Sequence, residues 1–267
     1  MSYSDLSKHI IQKKKSHLVV GLDTDISKVP EYFGGFINPV LEFNKNVIDA
    51  TKDIVAGYKM NSAFYEAAGG TGLNALLQTA DYIPDNCLKI VDAKRSDISN
   101  SAEQYAKIFF DKMDFDSITI NPYMGYDAAA PFLERNSRGI YVLALTSNPS
   151  ASEFQKLKVG NKYLFELIID VASKWKKGSV GFVFGANHLK EIKSFSKKYS
   201  DIPLLIPGIG FQGNDLNNLL KNLNSENFLI NSSRGIIYAP GKKVSNEEFK
   251  SIIIKKVISL NNSINKF

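Results

Sequence analysis

Short apolar stretches of strand length alternate along this chain with longer amphipathic segments of helix length. The short stretches are rich in Val, Ile, Leu and Phe, as parallel strands covered on both faces usually are. They predict eight strands, over His17–Asp23, Val55–Asn61, Leu88–Lys94, Ser117–Asn121, Ile140–Thr146, Val180–Gly185, Pro203–Pro207 and Asn227–Asn231. The intervening segments predict helices, among them Ser99–Lys112, Asn161–Lys177, Asn187–Tyr199 and Asn246–Leu260.

This repetition of a strand followed by a helix favours a closed (β/α)8 barrel, or TIM barrel, over an open doubly wound sheet. The length of 267 residues agrees with that interpretation, because single barrels of this kind have about 250 residues. No Gly/Ser-rich linker or low-complexity stretch divides the chain. We therefore predict an α/β barrel that forms one domain over residues 1–267.

Polar residues are concentrated where the predicted strands end. The set comprises Asp23, Lys59, Asn61, Asp92, Lys94, Asn121, Thr146, Ser147, Ser232 and Ser233. In a (β/α)8 barrel the carboxyl ends of all strands meet at one face, which carries the active site. Polar groups from six strands at one mouth indicate a functional site there.

The formal net charge is +6, which is compatible with an anionic substrate. The lysines are scattered over predicted helices, which favours a solvated surface over a nucleic-acid site. The single cysteine, Cys87, cannot form an internal disulfide, which favours a reducing compartment. The N-terminus is polar, and no apolar run approaches the ~20 residues needed to span a bilayer. We therefore expect a cytoplasmic protein that binds neither membrane nor nucleic acid.

The most informative segment is Val91–Ile98, which contains Asp92 and Lys94. Side chains alternate along a strand, so both point to the barrel interior. Opposite charges there are costly unless they are paired or used, which leaves a structural ion pair as the alternative to a functional role. Lys59 ends the neighbouring strand and completes a row of alternating charge. Carboxylates beside a lysine keep it protonated, and a protonated lysine in a dry pocket is a good general acid.

Asp97 lies just past the end of the third strand, too far along the chain for its side chain to point into the barrel interior beside Asp92 and Lys94. It lies near the charged row, or it is donated by a second subunit. The alternative is that Asp97 caps the helix that begins near Ser99, a common role for Asp at such a position.

Two glycine-containing loops predict a phosphate site. Ile206–Gly213 follows the seventh strand and Asn231–Gly235 follows the eighth, and these are the loops that bind phosphate in many barrels. Glycines let backbone N–H groups approach an anion closely, and Arg234 can bind it through two hydrogen bonds.

Thr146–Pro149 follows the fifth strand and either contacts a ring of the substrate or forms a helix-capping turn. The three histidines, His9, His17 and His188, are dispersed without metal-ligand spacing. The chain has neither a GxGxxG motif nor a Walker loop. We therefore expect no metal and no cofactor.

Taken together, these motifs resemble those of the orotidine 5′-phosphate decarboxylase family. Asp92–Ile98 matches the family motif Asp-x-Lys-x-x-Asp-Ile. Tyr58–Asn61, Thr146–Pro149 and Gly208–Gly213 resemble further segments of the longer bacterial class. The resemblance extends from about Leu18 to Tyr238.

The resemblance implies a cofactor-free decarboxylation of orotidine 5′-phosphate to UMP, the last step of de novo pyrimidine nucleotide synthesis. The implied catalytic residues are Lys59, Asp92, Lys94 and Asp97, with Lys94 delivering a proton to C6 of the ring. It also implies a homodimer in which Asp97, Ile98 and Ser101 reach the partner's site, with Ser101 near the ribose.

The substrate-binding residues that the resemblance implies are Asp23, Ile98, Ser101, Ser147, Gly210, Gln212, Ser233 and Arg234. Asp23 is expected to hold a ribose hydroxyl and Ser147 to contact the pyrimidine. Gln212 and Arg234 are expected to bind the phosphate, together with backbone near Gly210 and Ser233. The sequence departs from the family pattern at Ser96, Ser99 and Ser150, where glycine is expected, and at Ser101, which replaces a threonine.

Two other functions compete with this interpretation. A related barrel decarboxylase or aldolase would act on a sugar phosphate through a bound metal, and would need a metal-binding carboxylate near the second strand. That region offers Lys59, and Glu66 only further along. A non-catalytic phosphosugar-binding barrel would not need two lysines alternating with two carboxylates.

Overall fold

The computed structural model describes residues 1–208 and 216–266. Eight parallel strands form a closed barrel in which each strand pairs with the next along the chain and the eighth pairs with the first. We number them β1 (Leu18–Gly21), β2 (Gly57–Asn61), β3 (Leu88–Arg95), β4 (Ser117–Ile120), β5 (Gly139–Leu145), β6 (Ser179–Phe184), β7 (Leu204–Pro207) and β8 (Phe228–Ser232). The predicted barrel is confirmed, and each strand lies within two residues of its predicted ends.

Helices surround the barrel. They are α1 (Tyr3–Lys14), α2 (Pro39–Thr51), α3 (Ser62–Glu66), α4 (Gly69–Tyr82), α5 (Ser99–Ala106), α6 (Tyr126–Leu133), α7 (Ala151–Phe154), α8 (Leu164–Ala172), α9 (Leu189–Lys198), α10 (Leu216–Asn222), α11 (Arg234–Ile237) and α12 (Asn246–Ile264). A π-helical segment, Lys107–Lys112, continues α5 to the predicted end of that helix. None of the helices in the described ranges is long and apolar enough to cross a membrane.

The prediction of a helix over Asn161–Lys177 is wrong at both ends. Lys158–Val159 and Lys162–Tyr163 form a two-stranded antiparallel hairpin, and α8 begins only at Leu164. Gly160 lies in the turn with φ +62°, a conformation that glycine adopts without steric cost. The hairpin residues are exposed, so the periodicity of a buried helix face begins after them.

Helix α1 was not predicted, and it lies against the amino-terminal end of the barrel. Its buried residues, Tyr3, Ser7, Ile10 and Ile11, have helical spacing. The Tyr3 hydroxyl is 3.0 Å from the Tyr141 hydroxyl, and a Cβ on Gly139 would lie 2.2 Å from the Tyr3 ring. The helix packs against the interior residues Val19, Ala56, Leu88, Ile90, Val183, Leu205 and Leu229. This end of the barrel is therefore filled by side chains.

Asp116 lies just before β4, at the same amino-terminal end. Its carboxylate accepts a hydrogen bond from the Lys89 backbone N–H at 2.8 Å and lies 3.4 Å from the Arg138 guanidinium. Burial raises the pKa of Asp116 to about 6 despite these partners. The folded protein therefore retains a proton on this group at pH values where the unfolded chain loses it.

Asp116→Asn should stabilise the protein near neutral pH. The pKa of Asp116 is raised on folding, so the wild type loses stability as the pH rises from about 4 towards 6. The neutral amide avoids that loss, and its advantage should reach about 1–3 kcal/mol above pH 6 and vanish near pH 4. Urea unfolding of both proteins across this pH range measures the difference. Parallel stability curves would contradict the assignment.

Candidate active site

Charged side chains from β1, β2 and β3 meet at the carboxyl-terminal mouth of the barrel. The Lys59 ammonium lies 3.1 Å from Asp92 Oδ2 and 3.4 Å from Asp23 Oδ1. The Lys94 ammonium lies 2.6 Å from the other oxygen of Asp92. The structure therefore brings together the predicted row of Lys59, Asp92 and Lys94, and it adds Asp23 at the far end.

Strand register explains why these side chains meet. Lys59 pairs with Ile90 and Asn61 pairs with Asp92, so the ends of β2 and β3 lie side by side. Asp23 follows β1 and is held at the same height, because its Oδ1 also accepts a hydrogen bond from the Asn61 backbone N–H at 3.1 Å. Backbone pairing thus places Lys59 between the carboxylates of Asp23 and Asp92.

Both Lys59 and Asp92 are held in their charged forms. Burial alone would lower the pKa of Lys59, whose side chain is 3% exposed, but Asp23 and Asp92 raise it above the ordinary value. Burial alone would raise the pKa of Asp92, but the charges of Lys59 and Lys94 and hydrogen bonds from Lys94 and Thr119 lower it far below its usual range. Lys59 and Asp92 are therefore both charged at neutral pH.

The two lysines differ in accessibility. The Lys94 side chain is 47% exposed, against 3% for Lys59. Lys94 also has a left-handed backbone, with φ +48°. It lies in a bulge of β3, because Val91 pairs with Ile118 but Arg95 pairs with Ile120. Of the two ammonium groups, the Lys94 group is the one that a ligand at the mouth can reach.

The predicted alternative that Asp97 caps α5 is wrong. The N-cap residue is Ile98, and no side chain makes a capping hydrogen bond there. Asp97 Oδ1 instead accepts a local hydrogen bond from the Ile98 backbone N–H at 2.8 Å. Ile98 is 57% exposed, although it is apolar. Ser101, one turn later, is also exposed.

The predicted phosphate loops are partly described. Gly210 and Gln212 lie outside the described residues. Gly208, at the start of that loop, has φ +97°. Ser233 Oγ donates to the Gly21 carbonyl at 2.9 Å, which joins the end of β8 to the end of β1. Arg234 begins α11 and is exposed at the same mouth.

Ser147 lies in the loop after β5, next to the end of β6. A Cβ on Gly185 would lie 2.7 Å from the Ser147 backbone nitrogen, so glycine is required for this close approach. The neighbouring Thr146 is held by Gln155, whose Oε1 accepts from the Thr146 N–H at 2.8 Å. The segment also forms the turn that leads into α7, because the Asn148 carbonyl accepts a hydrogen bond from the Ala151 N–H at 3.1 Å, although the N-cap residue is Ser150 and makes no side-chain capping bond.

Two buried polar residues at the mouth received no individual role from the sequence, although Asn231 lies in the predicted phosphate segment Asn231–Gly235. Thr119, which is 1% exposed, donates to Asp92 Oδ1 at 2.8 Å. Asn231 is 5% exposed, and its Oδ1 has no hydrogen-bond partner among the described residues. Both are polar residues within strands otherwise composed largely of apolar ones, which is the signal that could have identified them.

Lys59→Met should destabilise the fold, because it leaves the carboxylates of Asp23 and Asp92 buried without their shared cation. Removing one partner of a buried ion pair typically costs about 3–5 kcal/mol. The loss should shrink as the pH falls and these carboxylates take up protons. Urea unfolding between neutral and acidic pH measures both effects.

Lys45→Met is the matched control, because Lys45 pairs with Glu42 at 3.1 Å within α2, where both partners are much more accessible to water than Lys59. Such pairs contribute less than about 1 kcal/mol. Similar losses for the two variants would contradict the assignment of a tightly coupled charge cluster.

Comparison with known proteins gives a consistent result. The family model described as "Orotidine 5'-phosphate decarboxylase / HUMPS family" matches residues 16–249. Proteins named orotidine 5′-phosphate decarboxylase are similar over 90% of this chain and 90% of their own length, with 42% identity in Dehalococcoides mccartyi strain CBDB1 and 44% in Christiangramia forsetii.

A solved structure of Leishmania donovani OMP decarboxylase superposes with a TM-score of 0.84 at 30% identity, covering 100% of both chains. The match therefore includes the whole barrel together with the strand ends that carry the charged cluster. The chain belongs to the orotidine 5′-phosphate decarboxylase / HUMPS family.

Proposed function

We propose that this protein decarboxylates orotidine 5′-phosphate to UMP, the last step of de novo pyrimidine nucleotide synthesis, without a metal or organic cofactor. The observation that carries the proposal is the alternation of Lys59, Asp92 and Lys94 at the barrel mouth, where both lysines contact the Asp92 carboxylate. The full-length similarity to proteins named for this activity supports it.

The difficulty of this reaction explains the need for a fixed cation. When the bond between C6 and the carboxylate breaks, CO2 leaves and the electron pair remains on C6 in the plane of the ring. The π-system cannot delocalise that pair. A cation held near C6 before the reaction begins stabilises the developing charge without reorganisation, and such preorganised electrostatics are usually the largest catalytic term.

Lys94 is the residue that we assign to this role. Its ammonium is exposed at the mouth and lies 2.6 Å from Asp92, which keeps it oriented. It would first stabilise the C6 carbanion and then transfer a proton from Nζ to C6. Lys59 cannot substitute, because its side chain is only 3% exposed and its ammonium is held between Asp23 and Asp92.

The remaining site residues would bind the substrate. Asp23 would hold a ribose hydroxyl, and Ser147 would contact the pyrimidine. Arg234 and Gln212 would bind the phosphate, together with backbone groups near Gly210 and Ser233. Binding energy from the phosphate would help to hold a closed, water-poor site in which the charges act strongly.

We further propose that the protein is a homodimer with shared active sites. Asp97, Ile98 and Ser101 lie on the loop and first turn after β3 and would reach the partner's site. The 57% exposed Ile98 supports this arrangement, as does Tyr123, which is 93% exposed after the neighbouring strand β4. Large apolar side chains exposed beside a site are consistent with an interface there.

The competing functions have less support from the structure. A metal-dependent aldolase would need a free carboxylate near β2, but Glu66 is paired with Arg95. In the described part of the chain, no three His, Cys, Asp or Glu side chains are grouped as a metal site. A non-catalytic phosphosugar-binding barrel gives no reason for burying Lys59 between two carboxylates. We propose a cytoplasmic location, which the buried, lone Cys87 supports.

The direct test is to mix purified protein with orotidine 5′-phosphate and to follow loss of the pyrimidine absorbance. We expect full activity after exhaustive treatment with EDTA, because the proposed chemistry uses only side chains. Activity that disappears with EDTA and returns with a divalent metal would favour the aldolase-like alternative. Binding of UMP without turnover would favour the non-catalytic barrel.

Arg234→Ala should weaken UMP binding by roughly 10- to 100-fold, the usual range for a lost charge-assisted hydrogen bond. It should also lower kcat, because phosphate binding supports closure. Uridine, which lacks the phosphate, should bind both proteins equally. Arg138→Ala, at the opposite end of the barrel, serves as the control. Equal losses for UMP and uridine would show that Arg234 does not contact the phosphate.

Mixing Lys94→Ala subunits with Asp97→Ala subunits should restore activity that neither variant has alone. If Asp97 acts across the interface, each mixed dimer contains one site with both residues intact and one site lacking both. If Asp97 serves its own barrel, no site is repaired and activity stays at the parental level. Subunit exchange must be confirmed independently, for example by mass spectrometry of differently tagged chains.

A further inference from the structure

The bulge in β3 leaves a backbone group that the sheet does not satisfy. Between the pairs Val91–Ile118 and Arg95–Ile120, three residues of β3 face the single residue Thr119 of β4. Lys94 lies in this interval, and its N–H donates to Thr119 Oγ1 at 3.0 Å. The Thr119 side chain therefore accepts the hydrogen bond that a carbonyl of the neighbouring strand would otherwise accept from Lys94, the residue that we assign to catalysis.

The same hydroxyl makes a second contact, with the carboxylate beside Lys94. Thr119 Oγ1 lies 2.8 Å from Asp92 Oδ1. A hydroxyl has one hydrogen, the Lys94 N–H can only donate, and an ionised carboxylate can only accept. The single hydrogen of Thr119 must therefore point to Asp92 while its lone pair receives the Lys94 N–H. The donor and the acceptor are therefore fixed in both hydrogen bonds of Thr119 Oγ1.

We propose that Thr119 is a positioning residue that fixes the Asp92 carboxylate and the Lys94 main chain as one rigid unit. This inference rests on the proposed function and specifies how its central lysine is held. The left-handed backbone of Lys94, at φ +48°, is unfavourable for a residue with a side chain. The Thr119 hydroxyl stabilises that conformation, from which the ammonium lies 2.6 Å from Asp92.

The position of Thr119 separates this role from substrate binding. The residue is 1% exposed and lies beneath the charged cluster, so it does not contact a ligand at the mouth. Losing its hydroxyl should therefore leave UMP binding nearly unchanged while lowering kcat. A residue that only stabilises the fold would change neither parameter in the protein that remains folded.

Thr119→Ala and Thr119→Ser provide the sharpest test, because the two variants both lack the methyl group and differ by one oxygen atom. We expect Thr119→Ser to retain kcat within about threefold and Thr119→Ala to lose about 10- to 100-fold, the range for a lost hydrogen bond to a charged group. The dissociation constant of UMP should change less than about threefold in both, since no ligand contact is removed.

Thr51→Ala is the matched control for a buried hydroxyl. Thr51 is fully buried in α2, and its Oγ1 hydrogen-bonds to the Val47 carbonyl and the Tyr58 hydroxyl, away from the charged cluster. It should lower the unfolding midpoint as Thr119→Ala does, yet retain the wild-type kcat. Equal loss of kcat in this control would show that the effect is a general consequence of destabilisation, and would overturn the assignment.

The outcomes separate this assignment from the function on which it rests. A wild-type protein that fails to decarboxylate orotidine 5′-phosphate overturns the proposed function and this role with it. An active wild type with equal kcat in Thr119→Ala and Thr119→Ser overturns the role of Thr119 alone. If Thr119→Ala does not fold, Thr119→Val, which keeps the shape without the hydroxyl, replaces it in the same comparison with Thr119→Ser.

Discussion

The carboxylate of Asp92 receives hydrogen bonds from three side chains, and the arrangement of the barrel mouth depends on them. Lys59 donates to one oxygen, and Lys94 and Thr119 donate to the other. The Asp92 side chain is only 14% exposed, and burying a carboxylate costs free energy unless nearby cations and hydrogen-bond donors replace its hydration. Once those partners are in place, Asp92 holds the Lys94 ammonium at 2.6 Å on the open side of the cluster, which is the position that the proposed reaction requires.

The two ends of the barrel differ in the side chains that fill them. Helix α1 and the paired hydroxyls of Tyr3 and Tyr141 fill the amino-terminal end with side chains. The carboxyl-terminal end carries a buried row of charges that contributes little apolar packing. The apolar packing of α1 and the charged cluster thus lie at opposite ends of the barrel axis, and active sites in other barrels of this architecture also lie at the carboxyl-terminal end. Because apolar packing fills the amino-terminal end, the barrel can accommodate at its mouth a charge cluster whose burial costs free energy.

The sequence predicted those features that depend on local pattern. Apolar runs located all eight strands, and alternation placed Asp92 and Lys94 on one face of β3. Features that depend on pairing between distant segments were not predictable in this way. The bulge opposite Thr119 arises from the register of β3 against β4, which no local pattern encodes. Helix α1 is not among the predicted elements, although its buried residues have helical spacing, and the sequence pattern places the start of a helix at the hairpin around Gly160.

In the proposed reaction, the ammonium of Lys94, held in place by Asp92, stabilises the negative charge that develops at C6 and then protonates that carbon. The most direct measurement is kcat of Lys94→Ala for orotidine 5′-phosphate, in a variant shown to be folded by circular dichroism. General-acid catalysis alone contributes about 10²–10⁴ in rate, and electrostatic stabilisation adds to it, so we predict a loss of more than 100-fold. A folded Lys94→Ala variant that keeps more than about a hundredth of the wild-type kcat would contradict the account.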